Sequence, residues 1–168
     1  MIAWIGLGRI GLPMAARLAA AGFEVKGFDI AADRRSAAAQ RGIQVAPRAA
    51  EALAGATLVF TSMPSESALL QALEEPLPSG ALLVETSTIG PGASAKAAER
   101  VGPYLRAPIS GSTALAEAGT LTVFASGPRA AFDTAKPALA TFSRAQIWLG
   151  EGEQARYAKL TAKQQIPG

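Results

Sequence analysis

The chain has no cysteine and no histidine among its 168 residues. The first absence excludes a disulfide scaffold, a thiolate metal site and a cysteine nucleophile. The second excludes a Ser-His-Asp triad, His-ligated zinc and imidazole acid–base chemistry. Proton transfer near neutral pH therefore falls to Lys, Tyr or a carboxylate. Long apolar runs are also missing. Stretches such as residues 58–60 and 81–84 fall far short of the roughly 18 residues that suggest a membrane span. No basic leader precedes an apolar stretch and a cleavage site, so a cytoplasmic location is the expectation. Sixteen Lys and Arg exceed 13 Asp and Glu, but only Arg34 and Arg35 are adjacent and no basic run meets an aromatic cluster. That scatter argues against a nucleic-acid partner.

What is present suits one compact domain. Hydrophobic residues make up 49% and charged residues 17% of the chain, enough to build a core. Short β-rich runs alternate with Ala-rich helical patterns. Residues 1–5, 24–29, 43–45, 57–62, 81–85 and 104–107 read as strands, several near-continuously apolar, as in a parallel sheet buried on both faces. Ile10, Met14 and Leu18 recur four apart ahead of a stop at Gly22, with Pro13 in the first turn. Asp33 is placed to cap a second helix running to Arg41. Residues 49–53, 66–73 and 91–100 make three more helices. After Pro108 come strands at 121–126 and 147–149 around a helix at 130–142. A break at Gly150-Glu151-Gly152 then leads into a helix over 153–166. The alternation predicts an α/β fold, a Rossmann-type doubly wound, mostly parallel sheet.

Gly6-Leu7-Gly8-Arg9-Ile10-Gly11 lies between the first predicted strand and helix. In that setting the first Gly makes a tight turn, the second lets backbone approach a pyrophosphate, and the third lets helix pack on strand. The helix N-terminus offers N–H groups and partial positive charge to phosphates, and Arg9 adds a cation. Asp29 ends the next strand eighteen residues after Gly11, the place of a carboxylate that accepts from an adenosine ribose. A carboxylate there repels a 2′-phosphate and favours NAD, while Arg34 and Arg35 leave NADP open. The alternatives are a Gly-rich turn without a ligand, a strand-end Asp29, or an S-adenosylmethionine site.

Four ordered segments resemble the 3-hydroxyisobutyrate dehydrogenase family, the β-hydroxyacid dehydrogenases related to 6-phosphogluconate dehydrogenase. They are the Gly-rich turn through Asp29-Ile30; Thr61-Ser62-Met63-Pro64; Glu85-Thr86-Ser87-Thr88-Ile89-Gly90-Pro91; and Ala107-Pro108-Ile109-Ser110-Gly111 with Gly119-Thr120-Leu121-Thr122. Gly150 and Lys159 match the ends of a further family motif. The resemblance implies that Ile30, Met63 and Pro64 lie along the cofactor and that Thr88 faces its nicotinamide side. Read by itself, Thr88 is equally a helix cap or the start of a turn. It implies that Ser110, Gly111 and Ser112 hold a substrate carboxylate, where the residues alone allow an ordinary turn. It implies that Lys159, otherwise a surface charge on a helix, is the proton donor or acceptor. The substrate so implied is a small 3-hydroxy acid or semialdehyde, and the assembly a homodimer.

Departures cluster where the chemistry would occur. Arg106 stands where the family has Asp. Ser112, Leu115, Glu153 and Ala155 stand where it has Gly. Ala162 and Lys163 stand where it has two Asn. Lys163 follows Lys159 by four, so both ammoniums share a helix face near the substrate, which lowers one pKa. The family's all-helical second domain is absent from these 168 residues. The expected organisation is a dinucleotide-binding domain over 1–150 and the start of a connecting helix over 151–168. Two further readings stay open: a non-catalytic dinucleotide-binding module, and an imine reductase, a class that usually replaces the residue at Lys159.

Overall fold

The computed structural model describes residues 1–165, with side chains through Ala162. Six strands form one parallel sheet: β1 (Ile2–Ile5), β2 (Val25–Phe28), β3 (Gln44–Val45), β4 (Leu58–Thr61), β5 (Leu82–Glu85) and β6 (Tyr104–Arg106). Their order is β3-β2-β1-β4-β5-β6. The helices between them are α1 (Gly11–Ala20), α2 (Ala32–Gln40), α3 (Ala49–Leu53), α4 (Glu66–Ala72) and α5 (Pro91–Arg100). The order reverses between β1 and β4, so a crevice opens beyond the carboxyl ends of those two strands.

The apolar strands feed two cores by simple alternation. Ile2 and Trp4 of β1 join Met14 and Leu18 on one face, while Ala3 and Ile5 join Leu53, Leu69 and Leu83 on the other. Trp4 stacks on Phe60 at 4.9 Å between centroids, and Phe142 meets both rings edge-on. The indole N–H donates to the Gly6 carbonyl at 2.9 Å, so no polar atom of this cluster is left unpaired.

A smaller sheet follows, built from β7 (Ile109–Ser110), β8 (Leu121–Ala125) and β9 (Ser143–Trp148). β7 pairs antiparallel with β8, and β9 pairs parallel to it across helix α7 (Arg129–Leu139). Reciprocal backbone bonds between Arg106 and Ser126 join the two sheets. Helix α6 (Thr113–Ala118) leaves β7, and α8 (Gln154–Gln165) closes the described chain. No helix among the described residues is long and apolar enough to cross a membrane.

Three local expectations need correction. The helix α2 starts at Ala32 with Ala31 at its cap position and no capping side chain. Asp29, not Asp33, accepts the Ala31 amide, at 2.9 Å; Asp33 sits in the first turn, where a carboxylate still suits the helix dipole. The last strand begins at Ser143 rather than at residue 147, because exposed Arg144 and half-buried Gln146 hide its apolar alternation. The stretch between Pro108 and the strand at 121, to which the sequence assigned no element, contains β7 and α6, both too short to show a period.

Candidate functional site

The three motif glycines do three different things. Gly6 has φ +101°, and a Cβ there would lie 2.1 Å from the Ser62 carbonyl oxygen. A Cβ on Gly11 would lie 2.1 Å from the Gly6 carbonyl oxygen. Those two positions are glycine because strand, turn and helix touch there. A Cβ on Gly8 would meet only the Arg34 guanidinium, no closer than 3.6 Å. This backbone is therefore open to approach by a ligand, as a pyrophosphate cradle requires. No side chain caps α1 at Ile10, but the Leu12 amide donates to the Gly8 carbonyl at 3.0 Å and Pro13 has no N–H, so the amides offered to an anion are those of the turn itself, up to Gly11.

Asp29 is nine-tenths or more buried at the end of β2. Its Oδ2 accepts the Leu7 amide at 2.8 Å, and its Oδ1 accepts the Ala31 amide at 2.9 Å. The carboxylate thus pins the Gly-rich turn to β2 with one lone pair on each oxygen and keeps others for a ribose. Arg34 approaches it to 3.8 Å. Arg35 donates to the Asp29 carbonyl at 2.8 Å. All the predicted cofactor residues except Leu7 and Thr88 line one cavity of about 710 Å³: the rest of the turn, Asp29, Ile30, Met63 and Pro64. That volume lies within the range of small-molecule sites. Leu7 is buried beneath the turn, and Ile30 is 90% exposed at the rim.

Behind the cavity runs a polar cluster that sequence reasoning missed. Glu85, fully buried, accepts from Thr61 Oγ1 and Ser87 Oγ at 2.7 Å each and from the Ser87 amide at 2.8 Å. The Met63 amide donates to Ser87 Oγ at 2.6 Å. Arg156, also fully buried, reaches in from α8. It donates to the Ser87 carbonyl at 2.9 Å, Tyr104 OH at 2.9 Å, Ser94 Oγ at 3.1 Å and Glu85 Oε1 at 3.2 Å. Burial works against the Arg156 charge, but Glu85, Tyr104 and Glu153 outweigh it and hold the guanidinium above its ordinary pKa. Burial likewise pushes the Tyr104 phenol up, against the opposing pull of Arg156. The available signal was a cation three residues before Lys159, on the same side of a predicted helix.

Of the predicted substrate residues, Ser110, Gly111 and Ser112 do not line the 710 Å³ cavity. Ser110 ends β7 opposite Thr122, and Gly111 turns at φ +141°. Ser112 caps α6, its Oγ accepting the Leu115 amide at 3.3 Å. Thr88 is exposed and does not cap α5; Gly90 occupies that position. Lys159 is half-buried on α8, one turn beyond Arg156. The Lys163 side chain lies outside the described residues. Two of the departures from the family pattern turn out to be one interaction. Arg106 donates to Glu153 Oε2 through Nη2 at 2.6 Å and Nε at 3.0 Å, with both side chains largely buried.

Residues 1–150 match the family of the NAD binding domain of 6-phosphogluconate dehydrogenase. The chain belongs to this family. It is 34% identical to an NAD-dependent L-serine dehydrogenase of Pseudomonas aeruginosa, an alignment covering 97% of this chain and 58% of that protein. A solved 3-hydroxyisobutyrate dehydrogenase from Mycobacterium tuberculosis with L-serine superposes with a TM-score of 0.90 at 32% identity, over 96% of this chain and 58% of that one. A Streptomyces aurantiacus imine reductase superposes with a TM-score of 0.85 at 29% identity, over 98% and 60%. The chain therefore spans less than two thirds of the length of each of these proteins.

Proposed function

We propose that this chain is the dinucleotide-binding part of an NAD(P)-dependent oxidoreductase of the 3-hydroxyisobutyrate, or β-hydroxyacid, dehydrogenase type. Residues 1–150 are its dinucleotide domain and 151–165 the start of a connecting helix; the expected continuation to 168 lies outside the described residues. The observation that carries the reading is the single cavity joining an open Gly8 backbone, the Asp29 carboxylate and the Met63-Pro64 loop at the strand-order reversal. Amides of the Gly-rich turn up to Gly11 would hold the pyrophosphate, Asp29 the adenosine ribose, and Ile30 would lie against the adenine. The nicotinamide, when bound, supplies or accepts the hydride. Ser110 and Gly111 hold the carboxylate of a small 3-hydroxy acid, with L-serine a first candidate. Lys159 donates a proton to a carbonyl oxygen under reduction, or takes one from the hydroxyl under oxidation. The protein so read is cytoplasmic and homodimeric.

Titration with NADH and NADPH, followed by fluorescence, tests the binding half. Saturable micromolar binding is expected, and no response at millimolar concentration overturns the reading. K159M tests the chemical half: turnover of 3-hydroxy acids should fall by about a hundredfold or more while NADH affinity stays within about twofold. A second reading, a binding module without turnover, draws on the separation of Ser110, Gly111 and Lys159 from the cavity. It expects NADH binding and no oxidation of L-serine or any other 3-hydroxy acid.

A further inference from the structure

The Glu85 cluster ties together three segments that approach the site from different elements. The loop after β4 enters through Thr61 and the Met63 amide, the loop after β5 through Ser87, and α8 through Arg156. A buried ion pair is costly to maintain and contributes little stability compared with apolar packing of the same volume. Every charged atom of this one has a partner: each guanidinium nitrogen donates, to Ser87, Ser94, Tyr104 or Glu85, and each Glu85 oxygen accepts two bonds. Such a network specifies one arrangement of the backbone around it. The arrangement is that of Met63, which lines the cavity, and of the loop that carries Thr88, which the family resemblance puts on the nicotinamide side, relative to the helix face that carries Lys159. The adenosine side has hydrogen bonds of its own, from the Leu7 and Ala31 amides to Asp29.

We propose that Arg156 is a positioning residue: through Glu85 and Ser87 it sets the two loops and α8 around the nicotinamide half of the dinucleotide. The inference rests on the dinucleotide reading above. Without the guanidinium, Glu85 is a buried carboxylate beside released Ser87 and Tyr104 groups, and both loops lose their common anchor. The effect is local to one half of the ligand. ADP-ribose, which has the adenosine and pyrophosphate but no nicotinamide, separates the halves.

Calorimetric titration of the 168-residue chain with NADH and with ADP-ribose tests this in wild type, R156M, R156K and S87A. NADH affinity should fall roughly fivefold or more in R156M while ADP-ribose affinity stays within about twofold. R156K keeps the charge but lacks the planar fork, so it should recover only part of the loss. S87A keeps the buried charges paired and removes the Met63 acceptor. It should weaken NADH alone, and it decides the matter if R156M does not fold. Variants that bind both ligands like wild type, or lose both in parallel, overturn the positioning role and leave the dinucleotide reading intact. Wild type that binds neither ligand overturns that reading, and the inference with it.

Discussion

Asp29 shows how much one side chain carries at this site. Its carboxylate holds the Leu7 and Ala31 amides and faces the cavity as well. D29A should therefore destabilise the fold, by about 1–3 kcal/mol for the stranded amides, besides weakening NADH binding. Urea denaturation beside NADH titration separates the two effects. The neighbouring Arg34 bears on cofactor choice. A carboxylate alone repels a 2′-phosphate, but this one has a half-exposed guanidinium 3.8 Å away. R34A should lower NADPH affinity by roughly fivefold to tenfold and leave NADH nearly unchanged, read by fluorescence titration of both. At this scale the sequence was most informative where a residue acts on its near neighbours. The Gly-rich turn and Asp29 declared themselves by spacing. Arg156 and Glu85 are 71 positions apart, and nothing local marks either as the other's partner.

Among the elements, legibility followed length and period. The first strand–helix–strand unit was readable because apolar alternation, a helical repeat and three glycines agree within thirty residues. β7, α6 and the start of β9 were not, being short or lined with polar residues. The caps of α6 were visible in principle: Ser112 before it and Gly119 after it, the latter left-handed at φ +74°. Ser112 was assigned to substrate instead, and its hydroxyl is engaged at the helix start. The central strands depend on their aromatic cluster. W4A should cost about 3–5 kcal/mol, because it empties the space between β1, β4 and Phe142. Thermal unfolding followed by circular dichroism checks it.

For the molecule as a whole, the buried polar cluster around Glu85 and Tyr104 predicts an alkaline limit. Burial raises the Tyr104 phenol, so the folded state holds that proton more tightly than the unfolded chain does. The associated stability is complete below the unfolded phenol value near about 10 and is lost as pH rises through the higher folded value. Melting temperature should fall steeply above that range, and Y104F should flatten the fall even if it lowers stability at neutral pH.

The Arg106–Glu153 pair has an evolutionary corollary. Either position returned alone to its family residue strands a charge in a largely buried place: Asp at 106 would face Glu153, and Gly at 153 would leave Arg106 unanswered. R106D and E153G should each be more harmful than the double replacement, which a double-mutant cycle in urea would measure. Natural kin should then inherit the two changes as a couple, and an alignment of close homologues with arginine at the first site and no acid at the second would break the link.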